Sequence, residues 1–234
     1  APLESPQLKA VIDKYYPFLI EARRKLIFTL CVFAIATVGG FFFYEKIIRL
    51  LVEILNLEGV NIVFTSPFQF INLAFATGIA CGIIVSFPLL VAQLLSFLKP
   101  ALREKEYKMV VKYIPFAFIL FLIGLTFGFF IMNWQIKIFL NQAAALGIGN
   151  ILDISRLLTT VLLTSALMGI GFEFPLVLLL LLRLGIVKRQ QLTKLRLWIY
   201  LGSFLFAIIL PVDSILADIL LALPLIFLFE ITLS

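Results

Sequence analysis

Glu173 is the residue whose type and position most clearly indicate chemistry in this sequence. It stands in the segment Gly171-Phe172-Glu173-Phe174-Pro175, inside a long apolar run. A carboxylate in such surroundings costs several kcal/mol unless it is hydrated or paired. We interpret Glu173 as a polar point in a water-accessible cavity or substrate path, the alternative being a protonated or hydrogen-bonded residue that packs one helix against another. Pro175 should bend the same helix, because proline removes one backbone hydrogen bond and crowds the preceding turn.

Three more polar side chains invite a functional interpretation. Gln93 lies near the end of another apolar run, where its amide can line the same cavity as Glu173 or bond a neighbouring helix. Glu21 and Glu106 stand among positive charges outside the apolar runs. Carboxylates at such sites usually belong to a charged face beside the membrane, but they can also accept a partner's guanidinium bidentately.

The residue types of the chain argue against catalysis. Histidine, the commonest general base and metal ligand, does not occur in the 234 residues. The two cysteines, Cys31 and Cys81, lie in apolar runs without metal-ligand spacing. The sequence has no nucleophile elbow, zinc-protease motif, nucleotide-binding loop or dinucleotide fingerprint. We therefore predict that the protein is not an enzyme and carries no cofactor or metal.

Composition indicates that the solvent for most of these side chains is lipid. Apolar residues make up 63% of the chain, charged residues only 14%, and the mean hydropathy is +1.16. Because a spanning helix needs roughly 20 mostly apolar residues, the runs predict six transmembrane helices in a single membrane domain, residues 1–234. The predicted spans cover residues of about 26–44, 70–97, 110–133, 157–184, 197–210 and 215–233.

Two long connections separate these spans, and each contains an amphipathic stretch. The first, residues 45–69, has apolar side chains at Ile47, Ile48, Leu51, Ile54 and Leu55, which predicts a helix at the membrane interface. The second connection, residues 134–156, repeats the pattern. Its apolar side chains are Ile136, Phe139 and Leu140. The predicted fold is an all-α membrane protein with a concave face around Glu173 and an interfacial helix in each long connection.

The distribution of lysine and arginine predicts the orientation. Fifteen of the 19 basic residues fall in residues 9–25, 99–112 and 183–196, and the other four fall in residues 46–49 and 137–156. Basic residues collect on the cytoplasmic side, so both termini are predicted to be cytoplasmic and the two long connections periplasmic. The clusters are short and separated, unlike the continuous basic stripe of a nucleic-acid-binding protein.

Two glycine pairs predict close contacts between helices. Gly78 with Gly82, and Gly124 with Gly128, have the four-residue spacing that lets helix backbones approach. We interpret both pairs as packing sites within the monomer, the alternative being contacts between copies of the chain.

Several segments in order along the chain resemble the TatC family, the multi-spanning receptor of the twin-arginine protein translocase. Phe18-Leu19-Ile20-Glu21-Ala22-Arg23-Arg24-Lys25-Leu26 is similar to the family's HLxELRxRL signature, and Thr65-Ser66-Pro67-Phe68 resembles its SPF element. Phe97-Leu98-Lys99-Pro100-Ala101-Leu102-Arg103-Glu104-Lys105-Glu106 looks like the family's FxxPxLxxxE stretch. Phe172-Glu173-Phe174-Pro175 resembles its FExP motif, and Leu221-Ala222-Leu223-Pro224 its LAxP.

The sequence also departs from the family pattern. Phe18 stands where the family usually has histidine, and Ala22 stands where it has leucine. Leu210-Pro211-Val212-Asp213-Ser214 replaces the usual TPPD and carries one extra residue before the LAxP element, so Asp213 is out of step with the family's aspartate.

The resemblance implies a receptor that binds signal peptides with consecutive arginines and takes part in the export of folded cargo, which the proton gradient drives. It implies a peptide site at Glu21, Arg23, Phe97 and Glu106, where the two carboxylates pair the guanidiniums. It further implies single-span partners of the TatA and TatB type, a homo-oligomer within a larger complex, and the bacterial inner membrane as the location.

A transporter is the alternative from another functional class. In a small proton-coupled secondary transporter, Glu173 would be the coupling carboxylate. That interpretation does not explain the paired acids beside Arg23 and Arg24, and the sequence lacks the internal repeat that many transporters show.

Overall fold

The helices of this chain follow its apolar runs. The computed structural model describes residues 6–55, 61–63, 66–97, 104–147, 151–212 and 214–233. The helices are α1 (Pro6–Phe42), α2 (Tyr44–Ile54), α3 (Gln69–Phe97), α4 (Glu104–Ala145), α5 (Ile154–Arg183), α6 (Arg189–Lys194), α7 (Arg196–Ile209) and α8 (Ile215–Leu233). Two strands accompany them, β1 (Asn61–Val63) and β2 (Ile151–Asp153). The prediction of an all-α membrane protein is confirmed, with this small strand pair added.

Five of these helices are long and apolar enough to cross a membrane, and α7 is a shorter sixth. The spanning stretches are Ile20–Phe42, Gln69–Leu94, Val110–Ala145, Ile154–Arg183 and Ile215–Leu233. The 14 residues of α7 extend about 21 Å, because an α-helix rises about 1.5 Å per residue. Lipid-facing side chains explain why many large apolar residues of these helices are exposed.

The two long connections differ from each other. Helix α2 is the helix predicted in the first. Its Leu51 and the capping residue Leu55 are buried in a cluster with Leu73 of α3 and Leu158 of α5. The second connection is helical over much of its length, but the predicted interfacial helix is not a separate element. It is the last part of α4, which continues without a break to Ala145.

Helix α5 lies at the centre of the molecule and packs against α3, α4 and α8, whereas α1 packs mainly against α3. Both glycine pairs lie at these contacts. An added Cβ at Gly124 would lie 2.6 Å from the carbonyl oxygen of Met168 in α5, and one at Gly78 would lie 2.7 Å from that of Thr37 in α1. Such distances are shorter than van der Waals contact, so both positions require glycine.

One end of the molecule, which we term the strand end, carries the starts of α3, α5 and α8 together with the two strands. Strand β1 pairs with β2 in parallel, with Asn61 opposite Ile151. The side chain of Gln69 donates a hydrogen bond of 2.6 Å to Asp153 Oδ2, and Ser155 Oγ donates one of 3.1 Å to the Gln69 carbonyl. Asp153 also caps α5, since its Oδ1 accepts the backbone N–H of Arg156. These contacts join the two long connections.

Candidate functional site

Glu173 lies in a groove formed by α5, α7 and α8. The groove encloses about 560 Å³. Its lining consists mainly of apolar side chains from α5 and α7, with Phe87 of α3 and Leu225 of α8. We term it the Glu173 groove, and its residues are Phe87, Ile170, Gly171, Glu173, Phe174, Val177, Leu195, Trp198, Ile199, Gly202, Ser203, Phe206 and Leu225. This is the concave surface around the acid.

The sequence around Glu173 allows the neighbouring elements to come close. An added Cβ at Gly171 would lie 2.8 Å from the ring of Phe206, so glycine is what lets α7 pack here. Two residues beyond the acid, Pro175 cannot donate the backbone hydrogen bond that Gly171 would otherwise receive. Thr232 of α8 donates a hydrogen bond of 3.5 Å to the Pro175 carbonyl. Helix α5 runs unbroken through Pro175, and the bend remains a prediction.

The Glu173 side chain is only 3% exposed. Its carboxyl group interacts with the backbone of Phe121 in α4, while Oε2 has no hydrogen-bond partner among the described residues. Buried polar atoms are nearly always hydrogen-bonded, to protein or to water. The geometry therefore leaves one carboxyl oxygen able to bind a donor from water or from a ligand in the groove.

A hydrogen-bonded cluster fixes the position of α7 along this groove. The hydroxyl of Tyr200 donates a hydrogen bond to Glu230 of α8, and Arg196 lies 3.2 Å from the same carboxylate. The two bonds link the start of α7 to the end of α8. Because α7 supplies one wall of the Glu173 groove, this cluster holds that wall against α8.

Gln93 and Glu173 line different cavities. Thr29 of α1 donates a hydrogen bond of 2.7 Å to Gln93 Oε1, so the amide bonds a neighbouring helix. Thr29 and Gln93 line a small cavity of about 120 Å³ between α1 and α3. Of the two interpretations of Gln93, the structure supports the helix contact and not a shared cavity with the acid.

Glu21 lies one turn from this small cavity, at the beginning of the α1 span. Its side chain is 47% exposed, and its Oε1 is 2.7 Å from Nζ of Lys25. Ala22 and Lys25 line the cavity, so Glu21, Lys25 and Gln93 belong to one surface at the end of the molecule opposite the strand end. Arg23 is exposed on the same turn. A cation that replaced Lys25 would find an accessible carboxylate there.

The remaining candidates fall where no side chain is described. Phe97 is the last residue of α3 and Glu106 lies in the first turn of α4, but the side chains of both are outside the described part of the structure. Asp213 is also outside the described residues. Within the described residues, no group of three or more histidine, cysteine, aspartate or glutamate side chains is arranged to hold a metal ion.

Sequence reasoning missed the polar network of the strand end. Gln69, Asp153 and Ser155 meet there through side-chain hydrogen bonds. One signal was present in the sequence, because Asp153 directly precedes an apolar helical run and aspartate is a favoured N-cap. Its contact with Gln69, 84 positions earlier, leaves no local pattern.

Comparisons with known proteins agree with this architecture. The family model described as "Sec-independent protein translocase protein (TatC)" matches residues 17–224. A Bacillus subtilis protein named TatCy is 30% identical over 92% of this chain and 85% of its own length. A Listeria innocua TatC is 31% identical over 92% of this chain and 87% of its own. A crystal structure described as the twin-arginine translocase receptor TatC superposes with a TM-score of 0.81 at 26% identity, covering 92% of this chain and 97% of that one.

Proposed function

Since the chain belongs to the TatC family of Sec-independent protein translocase proteins, we propose that it is the signal-peptide receptor of a twin-arginine translocase. The observation that carries this proposal is the family match over residues 17–224, together with a solved relative described as a twin-arginine translocase receptor. The relatives are named for protein translocation rather than for catalysis or solute transport.

The peptide site that we propose consists of Glu21, Arg23, Phe97 and Glu106. In the free protein the Glu21 carboxylate holds Lys25 at 2.7 Å on an exposed turn. The planar guanidinium of an incoming arginine can bind both carboxylate oxygens at once, whereas the lysine ammonium binds as a point charge. Arginine therefore displaces Lys25 from Glu21, and Glu106 accepts the second arginine. Selectivity for arginine over lysine follows from this exchange.

Capture of a twin-arginine signal peptide by the purified protein tests this proposal. The peptide carries a photo-crosslinker, and the protein is compared with Glu21→Ala and Glu106→Ala. Because charge-assisted hydrogen bonds contribute about 1.5–3 kcal/mol, each variant should bind the twin-arginine peptide more weakly, by a factor of about ten or more. A twin-lysine peptide should bind weakly to all of them.

Glu53→Ala is the matched control for removal of an acid. Glu53 is an exposed glutamate of α2, at the strand end and far from the proposed site, so its loss should leave capture unchanged. Equal capture of the arginine and lysine peptides by folded protein would contradict the proposal.

The apolar stretch of the signal peptide is proposed to lie along the Glu173 groove. The groove is mainly apolar and is bounded by α7 and α8, and among the described residues it contains one unpartnered carboxyl oxygen, that of Glu173. We propose that Glu173 holds water there and so lowers the apolar barrier locally. Glu173→Gln keeps the shape of the side chain, and we expect peptide capture to persist while export falls. Normal capture together with normal export would rule out this role.

The setting follows from the family and from charge. We propose that the chain acts as one membrane domain, residues 1–234, in the bacterial inner membrane with both termini cytoplasmic. Fifteen of its 19 basic residues would then face the cytoplasm. It would bind no nucleic acid and would work as a homo-oligomer with single-span subunits of the TatA and TatB type, driven by the proton gradient.

A further inference from the structure

Two cavities at the strand end share one wall, the first turns of α5. The first lies between α4 and α5 and encloses about 440 Å³, and the second lies between α3 and α5 and encloses about 520 Å³. Asp153, Arg156 and Thr160 line both. Because Arg156, Thr160 and Thr164 follow at four-residue spacing, they lie on one face of α5 that leads from the cavities into the molecule.

The walls of these cavities are polar compared with the rest of the membrane-spanning surface. The first cavity adds Gln135 and Gln142 of α4, and the second adds Gln69 and Asn72 of α3. Amide side chains at the ends of spanning helices can bond water as well as protein. In lipid they would have no partner.

Three buried polar atoms of α4 and α5 lack a protein partner. Within the described part of the chain, Gln135 Oε1, Asn133 Oδ1 and Thr164 Oγ1 are buried without a hydrogen bond, and of these residues Gln135 lines the first cavity. Thr164 is fully buried one turn beyond Thr160. Buried polar groups without protein partners generally bind ordered water, and both cavities are large enough for several waters of about 30 Å³ each.

Thr164 differs from three other hydroxyl residues of the spans, although Thr37 of α1 shares its lack of a hydrogen bond among the described residues. Thr77, which is also fully buried, donates a 2.7 Å hydrogen bond to the carbonyl four residues earlier, and Thr126 and Ser165 do the same at 2.8 and 2.7 Å. This back-bond satisfies a hydroxyl in an apolar setting. Thr164 does not make it, so its hydroxyl requires another partner.

A third cavity shows what an apolar site looks like in the same molecule. It encloses about 480 Å³ on the outer face of α4, and its lining is Ile119, Leu122, Ile123, Thr126, Phe127 and Phe130. The one hydroxyl in it, that of Thr126, bonds the Leu122 carbonyl. The two strand-end cavities match it in size but not in polarity, so volume alone does not explain the unpartnered atoms.

We propose that the two strand-end cavities form a water-filled vestibule that reaches Thr164. Thr164 is ten residues into α5, which corresponds to a depth of about 15 Å. Nine residues, or about 13 Å, then separate it from Glu173 along the helix axis. The stretch of α5 between Thr164 and Glu173 is therefore less than half the roughly 30 Å of a bilayer's hydrocarbon core. The vestibule does not depend on the signal-peptide role.

Radiolytic footprinting of the unmodified protein in lipid nanodiscs tests the proposal. Hydroxyl radicals form from water next to a side chain and convert methionine to its sulfoxide. Met132 lines the first cavity and is 5% exposed, while Met168 is fully buried between α4 and α5 against Gly124 and Gly128. We expect Met132 to be oxidised at least tenfold faster than Met168. Equal rates would overturn the proposal.

Cysteine accessibility gives a second test with a matched control. In a Cys31→Ser, Cys81→Ala background, Thr160→Cys, Thr164→Cys and Thr126→Cys are treated in nanodiscs with a charged thiol reagent. The thiolate attacks the reagent, and both the ionised sulfur and the charged reagent require water at this position. Thr160→Cys and Thr164→Cys should react at least tenfold faster than Thr126→Cys in the apolar cavity. The same slow rate at all three positions would mean that the cavities are dry. If Thr164→Cys does not fold, the comparison of Thr160→Cys with Thr126→Cys alone tests the proposal.

Discussion

The contact between α1 and α3 and the contact between α4 and α5 are built in the same way but support different helices. In each, glycines at four-residue spacing bring one helix against the backbone of the other, at Gly78 and Gly82 of α3 and at Gly124 and Gly128 of α4. Yet 61% of an 18-residue apolar stretch of α5 is buried inside the protein, against 11% of a stretch of the same length in α1. A glycine pair therefore fixes how close two helices lie, and the remaining neighbours determine how deeply each is buried.

This difference bears on how the two halves of the molecule should respond to strain. Helix α5 contacts α3, α4 and α8, so a change at the α4 contact displaces the whole core and the Glu173 groove with it. Helix α1 packs mainly on α3, so the same change there can be absorbed by movement of α1 alone. Its exposed face, which includes Leu30, Ile35 and Phe42, meets lipid in either position.

Gly124→Ala should have the largest effect. Its Cβ would lie 2.6 Å from the Met168 carbonyl oxygen and 2.8 Å from Phe172 Cβ, and neither can move without shifting α5. Overpacking of this kind costs about 1–3 kcal/mol, and we expect the upper part of that range. The measurement is the free energy of unfolding from denaturing-detergent titration in mixed micelles. An unchanged value would show that α4 and α5 are less tightly packed than these distances require.

Gly78→Ala should have a smaller and more local effect. The added methyl group meets the Thr37 carbonyl at 2.7 Å, a similar overlap, but α1 can move outward into lipid. We expect a loss of about 1 kcal/mol, the lower end of the overpacking range. Hydrogen exchange should accelerate in residues 20–42 while α5 stays protected. Faster exchange throughout α5 as well would show that the two helix contacts respond to strain in the same way.

Gly39→Ala should have the smallest effect, with the opposite sign. No atom lies within 4 Å of a Cβ at Gly39, whereas one at the adjacent Gly40 would lie 2.7 Å from Cys81 Cβ. Replacing a helical glycine by alanine without a clash stabilises the helix by about 0.5 kcal/mol. Thermal unfolding in detergent should therefore shift slightly upward for Gly39→Ala and downward for Gly40→Ala. Equal shifts in the unfolding temperature would contradict the placement of Gly40, and not Gly39, on the side of α1 that faces α3.

The sequence predicted the helices better than their mutual placement. Spans were located closely because length and apolarity determine them, and the predicted limits of 215–233 for the last helix agree with α8. The end of α4 was missed because Trp134, Gln135 and Lys137 are typical of an interface, although the helix continues through them. Strands of three residues carry too short an alternation to be recognised.

For the candidate site, the sequence identified residues but could not place them around the helix axes. Gln93 and Glu173 are both polar groups within apolar runs, which suggested one cavity, but Gln93 bonds Thr29 and lines another. Which face of a helix meets which neighbour depends on packing over the whole bundle, and no spacing within one helix encodes it. Glycine pairs were an exception, because their spacing itself defines the contact face.

The parallel pairing of β1 with β2 has a consequence for synthesis. The hydrogen bond between Gln69 and Asp153 joins the two long connections. It can form only after Asp153, which lies 84 positions later in the chain, has been synthesised. At translation rates of 5–20 residues per second, that delay is roughly 4 to 17 seconds. During this interval the first connection has emerged without its partner strand, while α3 and α4 are being inserted. The strand pair can therefore form only after the first four helices have been made.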